Sequence, residues 1–455
     1  MRSVPELLRR TGQDELLTVR NDLMTVQREI SADDRRLFPL RYARVNPPRT
    51  GRRAAAVHRD LATPVVTVVP DGPGGASVVP YDLLRRSLAS RGLDVIMPEH
   101  RGVGLSRLDS EGHDLPPHAM DVDEAVEDLR AALDHALVGR TVLYGCGYGA
   151  YLALTFAVRH PERVGALVLD SPLLAPDDEL ISQRAFRARY WEGTDPRTDT
   201  IASTLRRLDD QAVIDARRAG PVILAVHEYG GTGDVRELVD QLAVGRGQLT
   251  WTSVWQALTQ EWLQSTRYVS EPDLVARIAH TQLGIGAHAD GGPLDPLLIS
   301  GEQARQVPSP STRSLAPDLR ALASGVTAPT LVLSGEDDLV TPPQIAREAA
   351  DLIPGAHLLS VPGTGHGILD SHSQLAQIAM WWSAAGVGGD LLEHRQRLAA
   401  LKPTPTSQVL AHGLRLALAA ERYSPWRMRL ESARARRAEA QFDPSSGKAA
   451  RGPRL

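Results

Sequence analysis

The chain of 455 residues carries 51 basic and 55 acidic side chains, a formal net charge of −4, and 42% hydrophobic residues. This near-neutral balance is typical of a globular protein and argues against a nucleic acid or a membrane surface as its partner. The one cysteine, Cys146, excludes an internal disulfide, and neither a signal-peptide core nor an apolar run of membrane-spanning length occurs, so we expect a cytoplasmic protein.

Short apolar runs alternate with helical stretches along most of the chain. Residues 1–37 are polar and charged, and we interpret them as a lead-in to the first domain. From residue 38 onward the apolar, β-branched runs are predicted strands: 64–70, 93–98, 140–145, 164–170, 328–335 and 356–363. Such nearly continuous apolar runs are typical of strands covered on both faces by helices, and residues 121–137 have the one-sided apolar pattern of such a helix. The sequence therefore predicts an open, mostly parallel α/β sheet.

The alternation stops between two of the predicted strands. Residues 172–326 read as mostly helical, and a segment of this length inside a sheet predicts an inserted helical cap domain. The α/β core is then formed by residues 38–171 and 327–386. Residues 387–455 are predicted to form a helical, basic and partly disordered tail.

One stretch of the predicted core, TVLYGCGYGAYLAL at residues 141–154, has the pattern of a strand that turns sharply into a helix. In many hydrolases such a turn presents a nucleophile between two small residues. Here the small residues are Gly145 and Gly149, and the residue between them is Gly147, which has no side chain that could attack a substrate. Cys146 does not replace it, because shifting the turn by one residue would put two tyrosines at its flanks. We expect Cys146 to be a buried, inert thiol.

Two further segments supply the partners that a nucleophile would need. Asp338 follows the predicted strand 328–335, and His366 lies between two glycines after the next strand. Because the carboxyl ends of parallel strands meet at one edge of the sheet, we expect the two side chains to lie close together. An imidazole oriented by a carboxylate is the acid/base pair of many hydrolases. The other histidines show no spacing typical of metal ligands, so we predict no metal site.

Together these segments resemble the α/β-hydrolase fold, and more narrowly the proline iminopeptidase and tripeptidyl aminopeptidase family of serine peptidases. The resemblance covers roughly residues 38–385 and rests on GPGGAS, HRGVGLSR, YGCGYGAYLAL, PTLVLSGEDDLVTPP and PGTGHGILDSH. It implies that Asp338 is the acid of a catalytic triad, that His366 is its base, and that Gly147 stands where the family has serine.

The resemblance also implies how a substrate would be held. The N–H groups of Tyr148 and of the backbone around Gly72 would form the oxyanion hole. The family's loop often reads His-Gly-Gly-Pro-Gly, whereas Pro70 and Asp71 stand at its first two positions here. Members recognise a peptide's amino terminus with carboxylates of the cap, for which Glu192 and Glu261 are the candidates.

The missing serine leaves three hypotheses for the function, besides a scaffold for interactions. The first is an impaired or pseudo-hydrolase that binds a small peptide- or ester-like ligand between core and cap. The second is an active hydrolase, or another acid/base enzyme, in which His366 and Asp338 activate a water in the space that the serine vacated. Neither requires a cofactor. The third is an NAD(P)-binding protein, because GCGYGA matches a dinucleotide fingerprint and Asp170 follows where a ribose-binding acid would lie.

Overall fold

The computed structural model describes residues 19–48, 64–263, 265–307 and 315–423. Its centre is an eight-stranded sheet in the order β1-β2-β4-β3-β5-β6-β7-β8. The strands are β1 (Leu23–Ser31), β2 (Asp34–Val45), β3 (Val65–Val69), β4 (Asp94–Pro98), β5 (Thr141–Cys146), β6 (Val164–Asp170), β7 (Thr330–Gly335) and β8 (His357–Val361). The strands from β3 to β8 pair in parallel, which confirms the predicted α/β sheet and all six predicted strands.

Helices cover both faces of the sheet. The helices of the core are α1 (Asp82–Ser90), α2 (Val122–His135), α3 (Tyr148–Arg159), α10 (Pro343–Leu352), α11 (Ile368–Ser371), α12 (Ser373–Ala384) and α13 (Arg395–Ala399). Apolar side chains of α2, α3 and α10 form one buried cluster, and those of α1 and α12 form another with the alternate strand residues. In β5, for example, Leu143 belongs to the first cluster and Tyr144 to the second. Most positions of β3 to β7 are apolar because these strands are buried on both sides.

The sheet begins earlier than the sequence analysis predicts. Residues 23–37, assigned there to a polar lead-in, belong to an antiparallel hairpin of β1 and β2, and β2 also pairs with β4. Ile30 and Phe38 of this hairpin are fully buried, and Arg28, opposite Phe38, forms an ion pair with Asp128 of α2, whereas charged residues such as Glu29 and Arg35 are exposed. An edge hairpin with one solvated face has alternating polarity, which hides it in a search for continuous apolar runs. Residues 1–18 of the predicted lead-in lie outside the described residues.

The described part of the segment between β6 and β7 is mostly helical. Its helices are α4 (Asp178–Arg187), α5 (Asp199–Asp210), α6 (Ala216–Ala243), α7 (Gln248–Leu263), α8 (Pro272–Ala276) and α9 (Leu298–Ala304). They enclose a hydrophobic cluster of their own, against which Trp191, Trp251 and Trp255 pack while remaining partly exposed. We call this segment the helical insertion.

Part of the predicted tail packs on the helical insertion. Helix α14 (Pro405–Tyr423) lies against α6, and Leu418 is buried in the insertion's hydrophobic cluster. Residues 424–455, where the basic charge of the tail is concentrated, lie outside the described residues. Among the helices described, none has the length and apolar character required to cross a membrane.

Candidate functional site

The turn from β5 into α3 has the tight geometry that its sequence predicts. Gly147 adopts φ 52° and ψ −117°, in the left-handed half of the backbone map that favours glycine. Its N–H donates to the carbonyl of Asp170 on the neighbouring strand at 3.0 Å. A Cβ on Gly145 would overlap the backbone of Gly149, and one on Gly149 would overlap the backbone of Val69. Both flanking positions are therefore restricted to glycine by close backbone approach.

The space beside Gly147 is filled by the carboxylate of Asp71. Asp71 follows β3, and a Cβ on Gly147 would overlap its Oδ1 atom. That oxygen accepts hydrogen bonds from the N–H groups of Gly72 and Tyr148, each at 2.8 Å. The two N–H groups named as oxyanion donors thus converge on one atom, and a side-chain carboxylate of the protein already occupies the place. The space beside Gly147, where a water was expected in place of the serine side chain, is therefore occupied by Asp71.

His366 lies between two carboxylates. Its Nδ1 is 3.0 Å from Oδ2 of Asp338, and its Nε2 is 3.5 Å from Oδ2 of Asp71. Asp338 is fully buried and also accepts hydrogen bonds from the N–H of Val340 and from the N–H and hydroxyl of Thr341. The order of contacts is therefore Asp71, His366, Asp338, a row of carboxylate, imidazole and carboxylate.

The charges in this row stabilise one another. Burial alone would lower the pKa of His366, but the charges and hydrogen bonds of Asp338 and Asp71 outweigh it and raise that pKa well above 6.5. Withdrawal from water alone would raise the pKa of Asp71, but His366 and the N–H groups of Tyr148 and Gly72 lower it below 3.8. These shifts favour an imidazolium at His366 beside an ionised carboxylate at Asp71. The Asp71 side chain remains 39% exposed, so a ligand can reach it.

A third carboxylate, Glu228, reaches the row from the helical insertion. It lies on α6, and its Oε2 accepts a hydrogen bond from the backbone N–H of His366 at 3.0 Å. Its Oε1 is buried without a hydrogen-bond partner. Burial and the negative charge of Asp338 raise the pKa of Glu228 to about 7. The preceding residue, His227, contacts the carbonyl oxygen of Asp337 through Nε2 at 2.7 Å, so α6 is fixed to the loop that carries the buried acid.

Sequence reasoning missed Glu228 and treated Asp71 only as a departure from a motif. A local signal for Glu228 was present, because it precedes the glycine-rich run Gly230-Gly231-Thr232-Gly233, and Gly231 breaks the helical geometry of α6 at φ 73°. For Asp71 the signal was the coincidence of a new carboxylate in one loop with a missing side chain in another.

Of the two acids expected to bind a substrate amine, Glu192 is not brought to this row. Glu192 ends the π-helical turn Ala188–Glu192, and no hydrogen bond or ion pair among the described residues joins it to Asp71 or His366. Glu261 lies in α7, but its side chain lies outside what the structure describes. Another acid of the insertion, Glu228, contacts the His366 loop.

The structure excludes the predicted nucleotide role of Asp170. This side chain is fully buried, and its oxygens accept hydrogen bonds from the hydroxyl of Tyr144 and the N–H groups of Ile368 and Leu369. No ribose can reach it, and the start of α3, where a pyrophosphate would bind, holds the Asp71 carboxylate. Cys146 is also buried, and burial together with the charge of Asp170 raises the pKa of its thiol well above 9.0, as expected for an inert thiol.

The contacts of Asp170 fix the loop that carries His366, since all three donors belong to β5 or to the residues after His366. We expect Asp170→Ala to lower the free energy of unfolding by several kcal/mol, because each of the three buried donors then lacks a partner at about 1–3 kcal/mol. Urea unfolding checks this, with exposed Asp351→Ala as the control. Equal stability of the two variants would show that Asp170 does not position the loop.

The position of Glu228 predicts how stability depends on pH. Folding raises the pKa of Glu228 from 4.5 to about 7. The contribution of this carboxyl group to stability is therefore complete below pH 4.5 and is lost as the pH rises through about 7. Glu228→Gln removes this titration, so its stability relative to the parent should increase from pH 4.5 to pH 7. Urea unfolding across this range measures the difference, with exposed Glu302→Gln as the control. If the difference in stability between Glu228→Gln and the parent does not change with pH, the pKa of Glu228 is not raised by folding.

No cluster of three or more histidine, cysteine or acidic side chains suited to a metal ion occurs within the described ranges. In the row of Asp71, His366 and Asp338, the imidazole is joined to Asp338 by a hydrogen bond and to Asp71 by an ion pair, an arrangement suited to an acid/base relay.

Comparison with known proteins assigns the class of fold. Residues 64–220 match the family model described as the α/β hydrolase fold, and residues 303–380 match the model described as TAP-like protein. With the parallel sheet and the flanking helices, this shows that the chain has the α/β-hydrolase fold. Both matched segments contribute to the site, since the first contains Asp71 and Gly147 and the second contains Asp338 and His366.

Individual relatives match less of the chain. A putative non-heme bromoperoxidase from Mycobacterium tuberculosis is 46% identical over 41 residues, which is 9% of this chain and 16% of that protein. Among solved structures, a proline iminopeptidase from Mycobacterium smegmatis covers 80% of this chain and 99% of its own, with 16% identity and a TM-score of 0.49. A thermophilic esterase from Thermogutta terrifontis covers the same shares at 18% identity and a TM-score of 0.43.

Proposed function

We propose that this protein is a hydrolase that works without a serine acyl-enzyme, with His366 and Asp338 as its acid/base pair. Gly147 stands at the nucleophile position of the fold, so the covalent step of a serine peptidase has no side chain to perform it. One observation carries the proposal: the Asp71 carboxylate links the two N–H groups to His366. This row of charged groups is partly open to solvent at Asp71, so a substrate can reach it.

Chemistry of the acid/base type follows from this row. In the resting state His366 is an imidazolium and can donate a proton from Nε2. When a ligand displaces or neutralises the Asp71 carboxylate, one of the two charges that hold this proton is removed, and His366 becomes a base that can accept a proton from water. Asp338 is held in place by three other donors, so it orients the imidazole throughout.

A second candidate is a pseudo-hydrolase that binds a small peptide- or ester-like ligand without turnover. The occupied N–H pair favours it, because a substrate carbonyl cannot use these donors while Asp71 accepts from them. Glu192 and Glu261 would then be the acids that contact an amino group of the ligand. This candidate predicts ligand-induced stabilisation without product.

The two candidates are separated by assaying the purified parent protein against aminoacyl, prolyl and simple acyl esters and against alkyl electrophiles. His366→Ala and exposed His113→Ala run beside it, the latter as the matched control. We expect turnover by the parent and His113→Ala that is lost in His366→Ala, without a burst of acyl-enzyme. Absence of turnover throughout, with ligands that raise the melting temperature, would overturn the hydrolase and favour the binding protein.

A further inference from the structure

We propose that Asp71 is a covalent nucleophile and that the substrate is a small molecule with a leaving group on an sp³ carbon, such as a primary alkyl halide. The proposal rests on the proposed function and names its substrate class. It is based on the different contacts of the two oxygens of the Asp71 carboxylate. Oδ1 is bound by two backbone N–H groups, whereas Oδ2 lies 3.5 Å from Nε2 of His366.

The first argument concerns what each oxygen can do. Oδ1 already accepts two hydrogen bonds at 2.8 Å, so its electron pairs are engaged. Oδ2 has its one described contact with a cation, and the side chain as a whole is 39% exposed. The attacking atom is therefore Oδ2. The ionised form of the carboxylate, which its surroundings favour, is also the nucleophilic form.

The second argument selects the kind of carbon. A carboxylate that attacks the acyl carbon of a substrate ester forms an anhydride. Since an anhydride is more reactive than the ester, this step gains nothing over direct hydrolysis. A carboxylate that displaces a halide from an sp³ carbon forms an ordinary ester of Asp71, and the halide leaves with the bonding electron pair. No proton is required in this step, and no cofactor or oxidant takes part.

The third argument is that the site is built to hydrolyse such an ester. After alkylation, Oδ1 is the carbonyl oxygen of the ester, and it lies between the N–H groups of Gly72 and Tyr148. Water that attacks Cγ places negative charge on Oδ1, where these donors stabilise it. The N–H pair is thus an oxyanion hole for the protein's own ester and not for a substrate carbonyl.

His366 carries out the proton transfers of the reaction. Alkylation neutralises Asp71, so His366 loses one of the two charges that hold its proton, and the proton goes to solvent. The neutral imidazole takes a proton from the attacking water and returns it to the alcohol oxygen as the C–O bond of the tetrahedral intermediate breaks. The regenerated carboxyl group ionises. The net reaction is alkyl halide plus water giving alcohol, halide ion and a proton.

The expected test is a single turnover in H₂¹⁸O, with the parent protein in excess over primary bromoalkanes of two to six carbons. If Asp71 is alkylated, the oxygen of the alcohol comes from Asp71 and is ¹⁶O, and the protein gains one ¹⁸O in the peptide that contains residue 71. Direct attack by water instead puts ¹⁸O in the alcohol of the first turnover. That result would overturn the nucleophile and leave the proposed acid/base hydrolase standing.

Variants give an independent readout. Asp71→Asn should lose halide release by on the order of 10³-fold, whereas exposed Asp351→Asn keeps it. His366→Gln should accumulate protein heavier by one alkyl group, because the ester forms and is not hydrolysed. If the parent hydrolyses acyl esters but releases no halide and forms no alkyl adduct, and if Asp71→Asn keeps this ester hydrolysis, then only the role of Asp71 as nucleophile is overturned. If the parent protein turns over neither acyl esters nor alkyl halides, the proposed function is overturned as well.

Discussion

Gly147→Ser alone is expected to lower the stability of the protein and to produce no serine hydrolase. The new side chain would overlap the Asp71 carboxylate and would adopt a backbone conformation that favours glycine. Overpacking costs about 1–3 kcal/mol, and the strained conformation costs about 1–3 kcal/mol more. Moving Asp71 aside to relieve the overlap would break its two hydrogen bonds to backbone N–H groups. We expect a lower melting temperature and no burst with acyl esters.

The double variant Asp71→Gly with Gly147→Ser should behave differently. It frees the two N–H groups for a substrate carbonyl, places a hydroxyl near His366 and removes the overlap. Stopped-flow assays with 4-nitrophenyl acetate should show a burst from the double variant only, and Gly139→Ser, where a Cβ meets open space, controls for the substitution itself. A burst from Gly147→Ser alone would show that Asp71 does not block the site.

The second large effect is expected from removing the cation at the centre of the row. His366→Ala leaves the fully buried Asp338 and the partly exposed Asp71 without their shared positive partner. Breaking a buried ion pair from one side costs about 3–5 kcal/mol, since the remaining charge is unpaired. Because folding raises the pKa of His366, its stabilisation is complete below pH 6.5 and is lost as pH rises through the folded value. The destabilisation by His366→Ala should therefore be largest at pH 6 and should shrink at alkaline pH.

A double-mutant cycle isolates the pair. Asp338→Asn in the His366→Ala background should cost less than Asp338→Asn in the parent, because the second charge no longer has a partner to lose. Urea unfolding of the four proteins at pH 6 gives the coupling energy, and the exposed His113→Ala should leave it unchanged. Additive effects would show that the 3.0 Å contact between His366 and Asp338 carries no net stabilisation.

The sequence predicted the fold because the signal was strong and local. The five strands β3 to β7 are buried on both faces and give nearly continuous apolar runs, and the sharp turn at Gly147 requires glycines on both sides. The contact between Asp338 and His366 was also predictable, since both follow parallel strands and the carboxyl ends of such strands share one edge. The hairpin of β1 and β2 was missed, because its solvated face gives it the composition of a loop.

The carboxylates around His366 could not be predicted in the same way. Asp71 is defined by a contact between two loops far apart in sequence, and neither loop alone shows that a side chain fills the space beside Gly147. Glu228 depends on how α6 lies over the sheet edge, which no periodicity within α6 encodes. The nucleotide hypothesis was wrong for the same reason: the spacing to Asp170 is right, but the side chain is buried among partners from other segments.

The packing of α14 determines how far the chain can be shortened. The resemblance to peptidases ends near residue 385, which invites truncation there. Gln241 of α6, however, donates from Nε2 to the carbonyl of Leu418 at 3.0 Å, and Glu421 accepts hydrogen bonds from the N–H and hydroxyl of Thr250. A chain cut at residue 386 would uncover this side of the helical insertion, and α6, which also carries Glu228, would lose a supporting helix. Crystallisation and tagging should keep every residue through Tyr423.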